Sequence, residues 1–188
     1  MVRSLTLILS GALFVTTLRA ELQLTPKVVE YKADGATLKH LEFSDAGKTI
    51  TYQSPRGWDF TGSSTQLTLR PRDKTQVEAT ISRVALSQPA NFDEESLKKL
   101  VGEAVMLVPR GGEKVTVVSQ EKNSVLIQGR ETFLITLSYM FFGQEYRRSI
   151  LFLNRGNEQI RSQLTCRAAD FDQLHSAFLH SQLSWQNL

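Results

Sequence analysis

Cysteine is almost missing from this chain: its 188 residues include one, Cys166, so no disulfide can form within it. Stability must come from buried apolar surface instead. Long hydrophobic runs are scarce as well. The first uncharged, mostly apolar stretch, Leu5 to Leu18, would span about 21 Å as a helix at ~1.5 Å per residue. That falls short of the ~30 Å hydrocarbon core of a bilayer, and no later stretch is longer or more apolar. Stable membrane insertion is therefore not expected. Nor is there a surplus of one charge. Lys and Arg number 22 and Asp and Glu 19, but Arg3 and Arg19 lie within the first 20 residues, leaving 20 basic against 19 acidic side chains. A chain so near neutrality gives no general electrostatic case for nucleic acid.

The familiar signatures of chemistry are also lacking. No G-x-S-x-G elbow is present, and Cys166 sits in strand-like alternation, where a small buried thiol is expected. His175 and His180 are five residues apart on a helix, not the four that would place two metal ligands on one face. Arg110-Gly111-Gly112-Glu113-Lys114 lacks phosphate-loop spacing and reads as a helix stop. Asp45, Asp59, Asp73 and Glu145 fall at turns, where solvation accounts for them as well as an acid/base pair would. The expectation is a protein with no catalytic residues, no cofactor and no metal.

What is present begins with an export signal. Arg3 precedes the apolar stretch and Leu18-Arg19-Ala20 ends in the small residue a signal peptidase prefers, so cleavage near Ala20 is expected, giving a periplasmic or secreted product. Residues 21–37 read as a leader or an edge segment, and 38–188 as one domain. Leu38 to Phe43, Thr49 to Tyr52, Gln66 to Arg70 and Gln76 to Leu86 read as strands. A helix follows, capped by Asn91 with Glu94 completing a capping box; Leu97, Leu100, Val101, Ala104, Val105 and Val108 form its apolar stripe. Lys114 to Gln120, Ser124 to Gln128 and Glu131 to Phe142 read as further strands.

Gly143-Gln144 suits a two-residue type II′ loop. That register sets Phe142 opposite Glu145, Tyr139 opposite Arg148, Leu137 opposite Ile150 and Ile135 opposite Phe152. Both sides of the hairpin are apolar over part of their length, which implies cover on both faces. Glu158 to Arg167 is the next strand, with the face of Cys166 left open by the uncertain length of the preceding turn. Asp170, with Gln173 at the box position, caps a last helix that buries Phe171, Leu174 and Phe178, and Trp185 can latch the C-terminus. The pattern is α+β: an antiparallel meander with helices packed on its faces.

Two groups of residues are candidates for partner binding. Arg147, Arg148, Arg161 and Arg167 lie on adjacent strands and could form a basic stripe, though solvated or snorkelling arginines explain them too. Trp58 beside Arg56 is a possible hot spot, against the plainer reading of Trp58 as a core plug.

Ile50-Thr51-Tyr52-Gln53-Ser54-Pro55-Arg56-Gly57-Trp58 resembles the strand, Pro, Gly-Trp entry of the PsbP-like superfamily. The later order is similar as well: a mid-chain helix, a long hairpin, a further strand, Asp170-Phe171 opening the final helix and a closing Ser184-Trp185. The resemblance covers roughly 38–186. It implies an α/β/α sandwich and an accessory role docking to another envelope macromolecule, and it transfers no catalytic residue. Two alternatives stand beside that role: a carrier of a small amphiphile held between helix and sheet, and an unrecognised hydrolase.

Overall fold

In a computed structural model, residues 21–33 and 35–188 are described; the expected signal segment lies outside them. Ten strands and two α-helices occur among these residues. In chain order they are β1 (Gln23–Ala33), β2 (Ala36–Asp45), β3 (Lys48–Tyr52), β4 (Trp58–Gly62), β5 (Gln66–Pro71), β6 (Glu78–Ala85), α1 (Glu94–Met106), β7 (Glu113–Lys122), β8 (Thr132–Phe141), β9 (Gln144–Arg155), β10 (Glu158–Arg167) and α2 (Phe171–Gln182). The first three form a small antiparallel sheet, and the other seven a larger one in the order β4-β5-β6-β10-β9-β8-β7. The large sheet is two meanders rather than one. After β6, the segment containing α1 takes the chain to the far edge, and β7 to β10 wind back until β10 pairs antiparallel with β6. Residues expected to form a leader or edge contribute β1, the outer strand of the small sheet.

Alternation of side chains across the large sheet builds two cores. One face gathers Leu67, Leu69, Ile81, Leu134, Leu151, Leu153, Ile160, Leu164 and Cys166, and is covered by α2, Trp185 and the apolar side of the small sheet. The two-residue turn Gly156-Asn157, between the paired Arg155 and Glu158, settles the open question by placing Cys166 on this face. Trp185 does latch the C-terminus, lying 4.5 Å from Tyr52 and 5.6 Å from Phe43 between ring centroids. Thr51 and Gln186 exchange backbone hydrogen bonds of 3.2 and 3.0 Å beside it. The small sheet is also tied by charge, through buried Asp45 of β2 and Arg155 of β9.

The opposite face is covered over one half only. Phe133, Ile135, Leu137, Ile150 and Phe152 pack against Leu100 and Ala104 of α1 and against Phe92. Over β4, β5, β6 and β10 the same face is polar, with Thr80, Ser82, Gln163 and Thr165 part-exposed even on central strands. The α/β/α sandwich is thus incomplete: α1 covers half of one face, and α2 shares the other with three strands. The expectation of cover on both faces holds for the β8–β9 half and fails for the other.

Several local expectations are corrected. Asp93, not Asn91, caps α1: its Oδ1 accepts from the Ser96 amide at 2.8 Å. The cap moves because Phe92 is drawn into the core with Leu97, a hydrophobic staple across the first turn. Asp170 precedes α2 but makes no side-chain cap bond; a 3-10 turn at Ala168–Asp170 holds it in helical rather than extended backbone. Its carboxylate takes the Lys74 ammonium at 2.7 Å instead. Ser124 to Gln128 is not a strand, its neighbourhood containing an isolated bridge between Ile127 and Arg130. Trp58–Gly62, by contrast, is a strand that alternation had not marked.

The β8–β9 loop is Phe142-Gly143, with φ of +48° and +73°, the double positive pattern of a type I′ turn. Tyr139 therefore pairs with Tyr146, Leu137 with Arg148 and Ile135 with Ile150. The partners slide by two residues from the expected register, an even slip that leaves every side chain on its expected face.

Candidate functional site

The polar half-face is built by strand alternation. Cross-strand pairing sets Thr61 opposite Thr68, Thr68 opposite Thr80 and Thr80 opposite Gln163. A second row sets Glu78 opposite Thr165 and Thr165 opposite Arg148. Where β5, β6, β10 and β9 meet, Glu78, Thr80, Gln163, Thr165 and Arg148 floor an open hollow of about 680 Å³, whose walls include Arg70, Lys74 and Gln76.

Its charges differ in their partners. Arg70 pairs with Glu78, and Lys74 with Asp170 at 2.7 Å, which raises the lysine above its ordinary range. Arg148 donates through Nε to Thr165 Oγ1 at 2.9 Å and through Nη1 to the backbone carbonyl of Leu107. Among the described residues it has no carboxylate within ion-pair distance. Burial holds its guanidinium below the usual arginine range, with Tyr139 and Glu78 opposing that shift weakly.

The arginines expected to form one stripe are separated. Arg147 lies on the α2 side, 3.6 Å from Asp172 and 5.7 Å from the centre of the Phe171 ring. Arg161 lies on the other face at the edge of α1, 2.9 Å from Glu103 and above the Phe152 ring. Arg167 shares that face, donating through Nε to Gln76 Oε1 at 2.6 Å. Arg148 alone of the four lines the hollow. Arg56 is exposed in the β3–β4 turn, whereas Trp58 is 7 % exposed and stacked on Phe178 with ring planes 4° apart. Trp58 is therefore a core residue in this structure, and its hot-spot role would need it to leave that stack.

A further feature is the β8–β9 hairpin end. Phe142 is 89 % exposed, its ring touches that of Phe141 at 4.4 Å, and Met106 at the end of α1 is also exposed. Tyr146 stands edge-on to Phe141 and donates to Gln76, linking this end to the rim of the hollow. Phe-Gly in a two-residue loop was the available signal. A Gly143-Gln144 loop conceals it, because glycine then takes the first loop position.

The remaining reactive groups are engaged elsewhere. Burial pushes the Cys166 thiol up to about 12, far from a nucleophilic state. His175 is stacked on Phe171 and lowered by burial, while His180 Nδ1 contacts the Ser176 carbonyl oxygen. Asp45 holds Arg155, Asp59 holds Arg72, and Glu145 accepts from Ser138, so these three carboxylates have separate partners. Among the described residues no three His, Cys, Asp or Glu side chains gather as metal ligands. No helix there is long and apolar enough to cross a membrane.

No family model matches the chain, and no curated protein matches it. Solved structures do. A Pseudomonas aeruginosa protein of unknown function, PA94, is similar with a TM-score of 0.48 at 14 % identity, over 84 % of this chain and 94 % of that one. A Bacteroides thetaiotaomicron protein is similar at 0.45 and 9 % identity, over 73 % of this chain and 44 % of that one. The solution structure of cyanobacterial PsbP (CyanoP) from Synechocystis sp. PCC 6803 matches with a TM-score of 0.54 at 12 % identity, over 94 % of this chain and 98 % of that one. With its long hairpin, flanking helices and latched C-terminal tryptophan, this chain has the PsbP-like fold.

Proposed function

We propose that this protein is an exported accessory protein that works by docking, and that the β8–β9 hairpin end is its contact with a protein partner. The observation behind this reading is Phe142. A bulky apolar side chain in left-handed backbone destabilises a turn that Asn or Gly would form readily, yet here it is held at φ +48° and 89 % exposed. Exposed Phe142 and Phe141 beneath it form an aromatic knob suited to an apolar socket. Such expense in both strain and hydration is explained when a partner covers the ring.

Phe142→Asn separates stability from docking. The variant should be more stable by about 1 kcal/mol in urea unfolding, while crosslinking in the native envelope should lose a partner that the wild-type chain captures. Equal capture by both proteins overturns the reading. A carrier for an amphiphile would need an apolar cavity, and apart from Pro71 and Val77 the residues lining the 680 Å³ hollow carry charged, hydroxyl or amide groups.

A further inference from the structure

We propose that the hollow on the uncovered half-face binds a small anionic ligand, its carboxylate or phosphate group held by Arg148 and its neutral polar groups met by Thr80, Gln163 and Thr165. This inference is independent of the hairpin end. It starts from an imbalance: a part-buried guanidinium lining a hollow is left without a counter-charge of its own. Arg148 has only two neutral oxygens, from Thr165 and Leu107. The Leu107 carbonyl lies at the C-cap of α1, so the helix dipole compensates in part. Glu78 is near enough to be felt, but its carboxylate is taken by Arg70.

Five N–H donors are available on a guanidinium, in a planar fork that matches an oxyanion. The contacts of Nε and Nη1 leave Nη2 without a partner among the described residues. The surroundings suit the same ligand. Arg70 and Lys74 stand at the wall paired with Glu78 and Asp170, which leaves Arg148 as the lining charge without a carboxylate among the described residues, and Thr75, Gln76, Thr80, Gln163 and Thr165 present hydroxyls and amides to a volume of about 680 Å³. Charge fixed at one point and uncharged hydrogen-bonding groups around it describe a receptor for a hydroxyl-rich acid or phosphate ester.

The alternative is that Arg148 is only a strut between α1 and the sheet. The two are distinguished by titrating the isotope-labelled protein with glucuronate, glucose 6-phosphate and uncharged glucose while following backbone amide signals. Binding predicts saturable shifts at Thr80, Gln163 and Thr165 with one or both acids and none with glucose. A response to glucuronate alone assigns a carboxylate, to the phosphate ester alone a phosphate, and to both a general oxyanion site. Arg148→Gln should raise Kd by about tenfold or more. Should that variant not fold, Thr80→Val, which leaves the Arg148 contacts in place, should raise Kd by about threefold. No shifts with either acid, equal shifts with glucose, or an unchanged Kd in a folded Arg148→Gln protein overturns the inference.

Discussion

One face of the seven-stranded sheet has two halves that differ in chemistry while sharing the same strands' geometry. A single row of paired residues crosses it: Thr61, Thr68, Thr80, Gln163, Ile150 and Ile135, on β4, β5, β6, β10, β9 and β8. Its isoleucine end is fully buried under α1; its threonine end is open. The boundary falls beside β10, where Arg161 meets Glu103 of α1 and Arg148 meets the helix's last carbonyl. Both halves are antiparallel ladders of one sheet, so strand direction does not distinguish them. The side chains do: a helix packs where the row can bury apolar area, and stops where burial would strand hydroxyls and amides.

The sharpest test of this contrast is a truncation on the covered side. Phe152 is 0 % exposed between α1 and β8, and Phe152→Ala should lower stability by about 3–5 kcal/mol. Urea denaturation reads that loss as a fall in midpoint. A change below about 1 kcal/mol would mean that α1 is not a true second layer.

That layer was legible in advance to an instructive degree. Leu100 and Ala104 of α1 were marked by the 3.6 period of a helix, and Ile135 and Leu137 by their shared side of the β8–β9 hairpin. The hairpin faces survived a wrong loop because the slip was even. The open half-face was not read correctly, because apolar positions on both sides of β8 and β9 were extended to the whole sheet. Thr68, Thr80 and Thr165 are ordinary strand residues, and nothing local says whether a helix covers them. That depends on which strands become neighbours, and the long return from β6 to β7 fixes it. Arg148 was one of four stripe arginines for the same reason: its distinction lies in lining the hollow, part-buried and without a carboxylate, which is a tertiary fact.

Alkaline titration contrasts this face with the one behind it, where Cys166 and Tyr52 are buried. Burial raises the thiol from 9.0 to about 12 and raises Tyr52 as well. Both are neutral in the fold, while the unfolded chain releases their protons at lower pH. Their stabilisation is therefore complete below about pH 9 and is lost as pH rises from 9 through 12. Urea midpoints measured at increasing alkaline pH should fall, and Cys166→Ala should flatten the first part of that fall. An identical slope in the variant would show that the thiol is not the titrating group.

At the boundary the effect should be smaller. Arg161 and Glu103 are 2.9 Å apart, with side-chain exposures of 18 % and 27 %. Their partial burial limits screening without imposing the full cost of a dry ion pair. A double-mutant cycle of Arg161→Met and Glu103→Gln should give a coupling of about 1 kcal/mol. Amide exchange in α1 should quicken in either single variant, because the pair holds the helix edge against β10. A coupling near zero would leave α1 anchored by its apolar contacts and by the Arg148 bond to Leu107.

The least change is expected where the face is open. Thr80 pairs with Gln163 on a central strand, and its side chain is part-exposed. Thr80→Val keeps the β-branched shape that suits a strand and removes only the hydroxyl. If solvent reaches this half-face, stability should stay within about 0.5 kcal/mol of wild type. Were an unrecognised layer packed there, the lost hydroxyl would leave a buried partner unpaired and cost about 1–3 kcal/mol. The urea midpoint of this one variant therefore decides whether the half-face is a surface held available for a ligand or an interior, because the same substitution cannot be nearly neutral in both settings.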